Sequence, residues 1–155
     1  MKGKAKVVKE LNHLLAGELT AIDQYFIHTR MYEDWGLIKL YEHLEHEHEE
    51  ETGHADQMIR RMLFLERTPD MVKRETIHVG KDVREMLEND LKLEYSVIKN
   101  LRAAIALCEA EQDFETRAML VKQLEDSEED HAYWLEKQLG LIDKIGLPNY
   151  LQSMM

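Results

Sequence analysis

Cysteine occurs once in 155 residues, at Cys108. That excludes a disulfide framework and any cysteine-rich zinc or iron–sulfur site, and it suits a reducing compartment. Two prolines and seven glycines are too few for an all-β chain, which needs a turn about every ten residues. No run approaches the ~18 apolar residues of a membrane-spanning helix, and the basic start Met1-Lys2-Gly3-Lys4-Ala5-Lys6 leads into no secretory apolar stretch. Positive charge is also in deficit: 20 Lys+Arg against 31 Asp+Glu leave a formal charge of −11. Such a surface makes nucleic-acid phosphates and anionic membranes poor partners and cations natural ones. With 44% hydrophobic residues the chain can still pack a core. We therefore expect one cytoplasmic domain over residues 1–155.

What is present is helical periodicity. Residues 4 to about 35 are good helix formers, with Leu11, Leu15, Ile22 and Tyr25 recurring at helical spacing, and Gly36 breaks the run. A second helix is expected from about 37 to 65, carrying Leu37, Leu40, Leu44, Met58 and Met62 on one stripe. Residues 66 to about 82 break the period and read as a crossover connection, too long for a tight turn. A third helix is expected from about 83 to 111, then a short break at Gln112-Asp113, then a fourth helix to about 139. Gly140, Gly146 and Pro148 mark a tail with one short helix over 147–153. Short link, long link, short link between four helices predicts an all-α four-helix bundle with one long crossover.

The informative residues are the carboxylates that interrupt the apolar stripes. Glu18 lies within the arc of Leu11, Leu15, Ile22 and Tyr25, and Glu94 within that of Leu87, Leu91, Ile98 and Leu101. Glu51 falls between Leu44 and Met58 with His54 three residues on; Glu128 and His131 fall between Leu124 and Leu135. Each half of the chain thus carries one Glu and one Glu-x-x-His in its seam, 33 residues apart from Glu18 to Glu51 and 34 from Glu94 to Glu128. Four like-charged carboxylates facing one another cannot pair among themselves, and burying each unpaired costs several kcal/mol. Two divalent cations would neutralise them, and four carboxylates with two imidazoles suit iron or manganese. Glu-x-x-His alone is a weak signal, since five copies occur here; only the two with a matching upstream Glu carry the argument.

Other candidates read more plainly. The run from Glu42 to Glu51 reads mostly as a solvated helix face, with His46 and Glu50 an i, i+4 pair opposite the seam that could take up surface metal. Tyr25 reads as core, yet a phenol beside an oxidising metal site can donate an electron. Trp35, Trp134, the nine Met and Cys108 read as packing residues.

Glu18, Glu51-Thr52-Gly53-His54, Glu94 and Glu128-Glu129-Asp130-His131, with His54-Ala55-Asp56 and the tail from Ile142 to Gln152, resemble the bacterioferritins over essentially the whole chain. The second Glu-x-x-His separates the sequence from ordinary ferritins, and the lack of a Cys-x-x-Cys pair separates it from rubrerythrins. The resemblance implies a 24-subunit cage that oxidises Fe²⁺ in pairs at an intra-subunit di-iron centre, using O₂ or H₂O₂, and stores ferric mineral inside. It would make Glu18 and Glu94 terminal ligands, Glu51 and Glu128 bridges, and His54 and His131 one ligand on each iron. It also places His46 and Glu50 toward the cavity and Tyr25 beside the centre, and implies a ferredoxin-type reductant. One position departs: the haem-ligating Met of the family is Thr52 here. A hydroxyl cannot replace a thioether as axial ligand, which puts haem in question and resembles the haem-free subunit type, alone or co-assembled with a haem-binding sister. The alternatives are a di-iron or di-manganese peroxidase or catalase, and a metal-free helical scaffold.

Overall fold

The computed structural model describes residues 1–155. Helix α1 spans Ala5–Asp34, α2 Ile38–Phe64 and α3 Val83–Ala110. The fourth rod is α4, Phe114–Glu125, continued through a π-helical turn, Asp126–Ala132, into α5, Tyr133–Ile145; a short α6, Leu147–Ser153, follows. The four-rod bundle with one crossover agrees with the periodicity, and no helix is long and apolar enough to cross a membrane. Two details differ. The fourth rod is not uniformly α-helical, and it runs past Gly140 to Ile145, because Ile142 is buried in the cluster that also holds Tyr150.

Local chemistry sets the helix ends. Gly36 takes φ +76°, a value that L side chains rarely adopt, and so turns the chain out of α1. Asp82 caps α3 by accepting from the Glu85 amide, and Asp113 caps α4 by accepting from the Thr116 amide. The crossover is sewn to α1 by its own backbone: the amides of Asp70, Glu75, His78 and Gly80 donate to Asn12, Thr20, Gln24 and His28, at 2.7 to 3.1 Å. Gly80 must be glycine there, since a Cβ would stand 2.4 Å from the Met86 nitrogen. At the other end Tyr150 is fully buried, donates to Gln138 at 2.8 Å, and so docks α6.

The apolar core has two parts. One gathers Val7, Leu11, Leu15, Met58, Met62, Leu101 and Leu120; the other gathers Tyr25, Leu40, Leu44, Met86, Leu87, Leu135 and Tyr150. Along every rod a polar layer separates them: Glu18 on α1, Glu51 and His54 on α2, Glu94 on α3, and Ser127 and His131 in the π-helical turn.

Candidate metal centre

In that layer Glu18, Glu51, His54, Glu94 and His131 are each at most 5% exposed. Donor atoms of Glu18, Glu51 and His54 lie within 4.8 Å of one another, and so do those of Glu51, Glu94 and His131. Glu51 belongs to both groups, and the two imidazoles stand on either side of it with ring centres 6.1 Å apart. His54 Nδ1 is 3.5 Å from Glu51 and His131 Nδ1 is 2.7 Å from it. Oxygens of Glu18, Glu51 and Glu94 and Nδ1 of both histidines are buried without a hydrogen-bond partner of good geometry. An apolar bundle does not tolerate six such atoms from five side chains converging on one point unless something binds them.

The outer nitrogens of the rings are held separately. His54 Nε2 is 2.9 Å from Asp126, and His131 Nε2 contacts Glu47 and lies 2.6 Å from Glu50. With the outer N–H donating to a carboxylate, a neutral ring would turn its Nδ1 lone pair to a cation at the centre, the arrangement by which proteins orient imidazole ligands. Tyr25 donates its hydroxyl to Glu94 from the fully buried end of its ring.

Burial and mutual repulsion shape the protonation. Burial, then the charges of Glu51 and Glu94, hold Glu18 well above the usual carboxylate range; burial and Glu51 push Glu94 up to about 7. Burial works to raise Glu51 too, but the close approach of Glu18, His131 and His54 outweighs it and holds Glu51 well below the ordinary value. Burial would lower both histidines, yet the surrounding carboxylates win: Glu47, Glu51 and Glu94 hold His131 far up, and Glu51 with Asp126 raises His54. The cluster keeps protons because it concentrates negative charge, which is the electrostatic signature of a site shaped for cations.

Five of the six expected ligands therefore meet, and Glu128 does not join them. Its side chain is about one-third exposed and accepts from Arg102, at 2.9 Å from Nε and 2.5 Å from Nη2, both on Oε1. The reason is register. The buried stripe of the fourth rod runs Leu120, Gln123, Ser127, His131, Leu135, and the wide turn gives Ser127 the inward place that α-helical counting back from Leu135 would give Glu128.

The acidic run on α2 also departs from expectation. Glu47 is 4% exposed and bridges His43 and His131, so the run is not simply a solvated face. Its signal was available, for Glu47 stands three residues after buried Leu44 and four before Glu51. Glu50 is not opposite the seam either: it reaches His131 while pairing with exposed His46 at 2.7 Å. Glu47, Glu50, Asp130 and His131 form a third group of donors within 4.8 Å, on the outer side of His131. Trp134 stacks on His43 at 3.7 Å. Thr52 is exposed and its hydroxyl donates to the His48 carbonyl of its own helix. A cleft of about 660 Å³ lies between α1, α3 and the crossover, lined by His13, Gln24, Glu75 and His78 among others. None of the six expected ligands lines it.

The ferritin-like domain family matches residues 8–145 of the chain. Among similar proteins, the bacterial ferritin of Synechocystis sp. is 62% identical over 155 residues, covering 100% of this chain and 99% of its own length. A bacterial ferritin of Pseudomonas aeruginosa is 61% identical over 153 residues, covering 99% of each. The bacterioferritin of Mycolicibacterium paratuberculosis is 41% identical over 150 residues, covering 97% of this chain and 94% of its own.

Proposed function

Since the chain belongs to the ferritin-like family, in its bacterioferritin-type branch, we propose that it stores iron, oxidising Fe²⁺ to Fe³⁺ at an intra-subunit two-metal centre. The observation that carries this reading is the convergence of orphaned carboxylate oxygens and imidazole Nδ1 atoms on Glu51. Iron is the substrate. Two Fe²⁺ held side by side each give up one electron; O₂ takes both, with two protons, to become H₂O₂, or H₂O₂ takes both, with two protons, to become two waters.

The chain's own residues make this possible. Glu18 with His54 and Glu94 with His131 supply one carboxylate and one imidazole to each position, and Glu51 lies between them to hold both ions close and offset their repulsion. Asp126, Glu47 and Glu50 fix the ring orientations. Cation entry displaces the protons that burial keeps on Glu18 and Glu94 and those that the surrounding carboxylates keep on the histidines. Tyr25, hydrogen-bonded to Glu94, stands where a phenol can give an electron to an oxidant.

We place this centre in a 24-subunit cytoplasmic cage, formed by this chain alone or together with a haem-binding sister, with stored iron released by a ferredoxin-type reductant. Exposed Phe26, Phe64, Phe114 and Tyr133 support assembly, because packing against sister chains would remove that apolar surface from water. Haem is no part of the proposal, since Thr52 offers a hydroxyl already bonded to its own helix. Stopped-flow Fe²⁺ oxidation tests the centre. Glu51→Ala and His131→Ala should abolish the fast phase while the helices still form, and unchanged rates would defeat the assignment. Gel filtration separates a storage cage of several hundred kDa from a small di-metal oxidoreductase.

A further inference from the structure

Resting on the two-metal reading above, we propose that Glu128 is shared between two partners, the Arg102 guanidinium at the bundle surface and the metal pair at its centre, and that one surplus residue in the π-helical turn lets it change between them. The surplus can be located by counting. Sixteen residues separate Glu18 from the end of α1 at Asp34, and sixteen separate Glu94 from the end of α3 at Ala110. Three-residue links follow in both hairpins, 35–37 and 111–113. From the first residue of the next helix, Glu51 is thirteen residues on from Ile38, whereas Glu128 is fourteen on from Phe114; the thirteenth is Ser127. The extra residue therefore lies within the fourth rod, and a π-helical turn is how a helix absorbs one.

A helix with one surplus residue has two registers, one on each side of the wide turn. At 100° per residue, counting forward from buried Leu120 brings Ser127 to within about 20° of the core direction and leaves Glu128 about 80° away. Counting back from buried Leu135 brings Glu128 to within about 20° and moves Ser127 about 80° off. The structure has the first arrangement: Ser127 is fully buried with its hydroxyl unpartnered, and Glu128 lies on Arg102. Sliding the wide turn toward the N-terminus exchanges the two side chains and keeps His131 and Leu135 in place. Little opposes the exchange. The Arg102 side chain is 65% exposed, and an exposed ion pair holds its partners by a factor of only about two to five. Buried Ser127, by contrast, loses no hydrogen bond on moving outward. Two ions bound to Glu18, Glu51 and Glu94 alone would also keep a net positive charge that a fourth carboxylate cancels. Arg102 is thus a positioning residue, acting on the centre through Glu128.

The test is Zn²⁺ titration of the assembled, metal-stripped protein by calorimetry, with amide hydrogen exchange over residues 126–132, in the natural chain, Arg102→Ala, Glu128→Gln and the double variant. Two Zn²⁺ per chain are expected. Arg102→Ala should tighten the second step about two- to five-fold. Glu128→Gln should weaken that step about ten-fold or more, and the double variant should match Glu128→Gln. Zn²⁺ should change exchange at 126–132 only when Glu128 is present. Two Zn²⁺ bound with Arg102→Ala or Glu128→Gln unchanged would overturn the sharing alone, leaving Glu128 a surface ion pair. Fewer than two Zn²⁺ per natural chain would overturn the two-metal reading and the sharing with it.

Discussion

The hairpin of α1 and α2 and the hairpin that begins with α3 place a seam Glu on their first helix and join their helices by links of equal length, but the second helices treat Glu-x-x-His differently. In α2, Glu51 and His54 both face the centre, three residues apart on an unbroken α-helix. In the fourth rod the same spacing crosses a π-helical turn, so His131 faces inward and Glu128 outward. The motif is therefore not a unit: whether both of its side chains reach one point depends on the pitch of the helix between them. The second half compensates by embedding His131 more deeply in carboxylates, with Glu47 and Glu50 on one nitrogen and Glu51 and Glu94 on the other.

That asymmetry can be broken experimentally, and the largest effect should come from the residue common to both halves. Glu51→Gln is expected to cut bound Zn²⁺ from about two per chain to less than one, read by elemental analysis after dialysis; loss of a single ion would show that the halves do not share it.

Next come the two histidines. His131→Ala removes the cation that faces buried Glu47 and Glu94 and should destabilise metal-stripped protein by about 3 kcal/mol in urea unfolding. His54→Ala should cost clearly less, because its outer partner Asp126 is half exposed and can be hydrated instead. Equal losses would mean that the deeper embedding of His131 has no energetic weight.

A pH series sharpens the same contrast. Glu94, raised to about 7, keeps its proton in the folded chain where the unfolded chain has lost it, so its contribution to stability falls as pH rises from about 4.5 through 7. The raised histidines act in the same sense: their stabilisation is complete below about 6.5 and is lost as pH climbs through their folded values. Metal-stripped protein should thus lose stability between pH 5 and 8. Zn²⁺ binding should strengthen over that range and release protons, seen as calorimetric heats that depend on the buffer. Binding that does not depend on pH would contradict the protonated cluster.

A smaller and more local effect is expected from deleting Ser127, which restores the α2 interval in the fourth rod. Hydrogen exchange at 126–131 should slow as the turn becomes α-helical, and Arg102→Ala should no longer alter Zn²⁺ affinity. A rod that keeps fast exchange there would show that the surplus residue is not the cause of the wide turn.

Much of this architecture was legible in the amino-acid order. Apolar residues at 3.6-residue spacing located the ends of α1, α2 and α3 to within a residue or so, and Gly146-Leu147-Pro148 marked α6. The pairing of Glu18 with Glu51-x-x-His54 followed from the same period, because α2 keeps it. Glu128 was misplaced because a helical wheel assumes one pitch throughout, and the clue, 34 residues against 33, is a single residue. Glu50 was hidden by composition, and the one signal for Glu47, its spacing from Leu44 and Glu51, was masked by the run around it. In a run this rich in Glu and His, burial is decided by what the neighbouring rod presents, here His131, and not by the run itself.

Anomalous diffraction from crystals soaked in Fe²⁺ under anaerobic conditions tests the central claim most directly. The account predicts two iron peaks flanking Glu51, one about 2.1 Å from His54 Nδ1 and the other about as far from His131 Nδ1. Crystals with no iron between the two imidazoles, in which Glu18, Glu51 and Glu94 contact only water and one another, would contradict it.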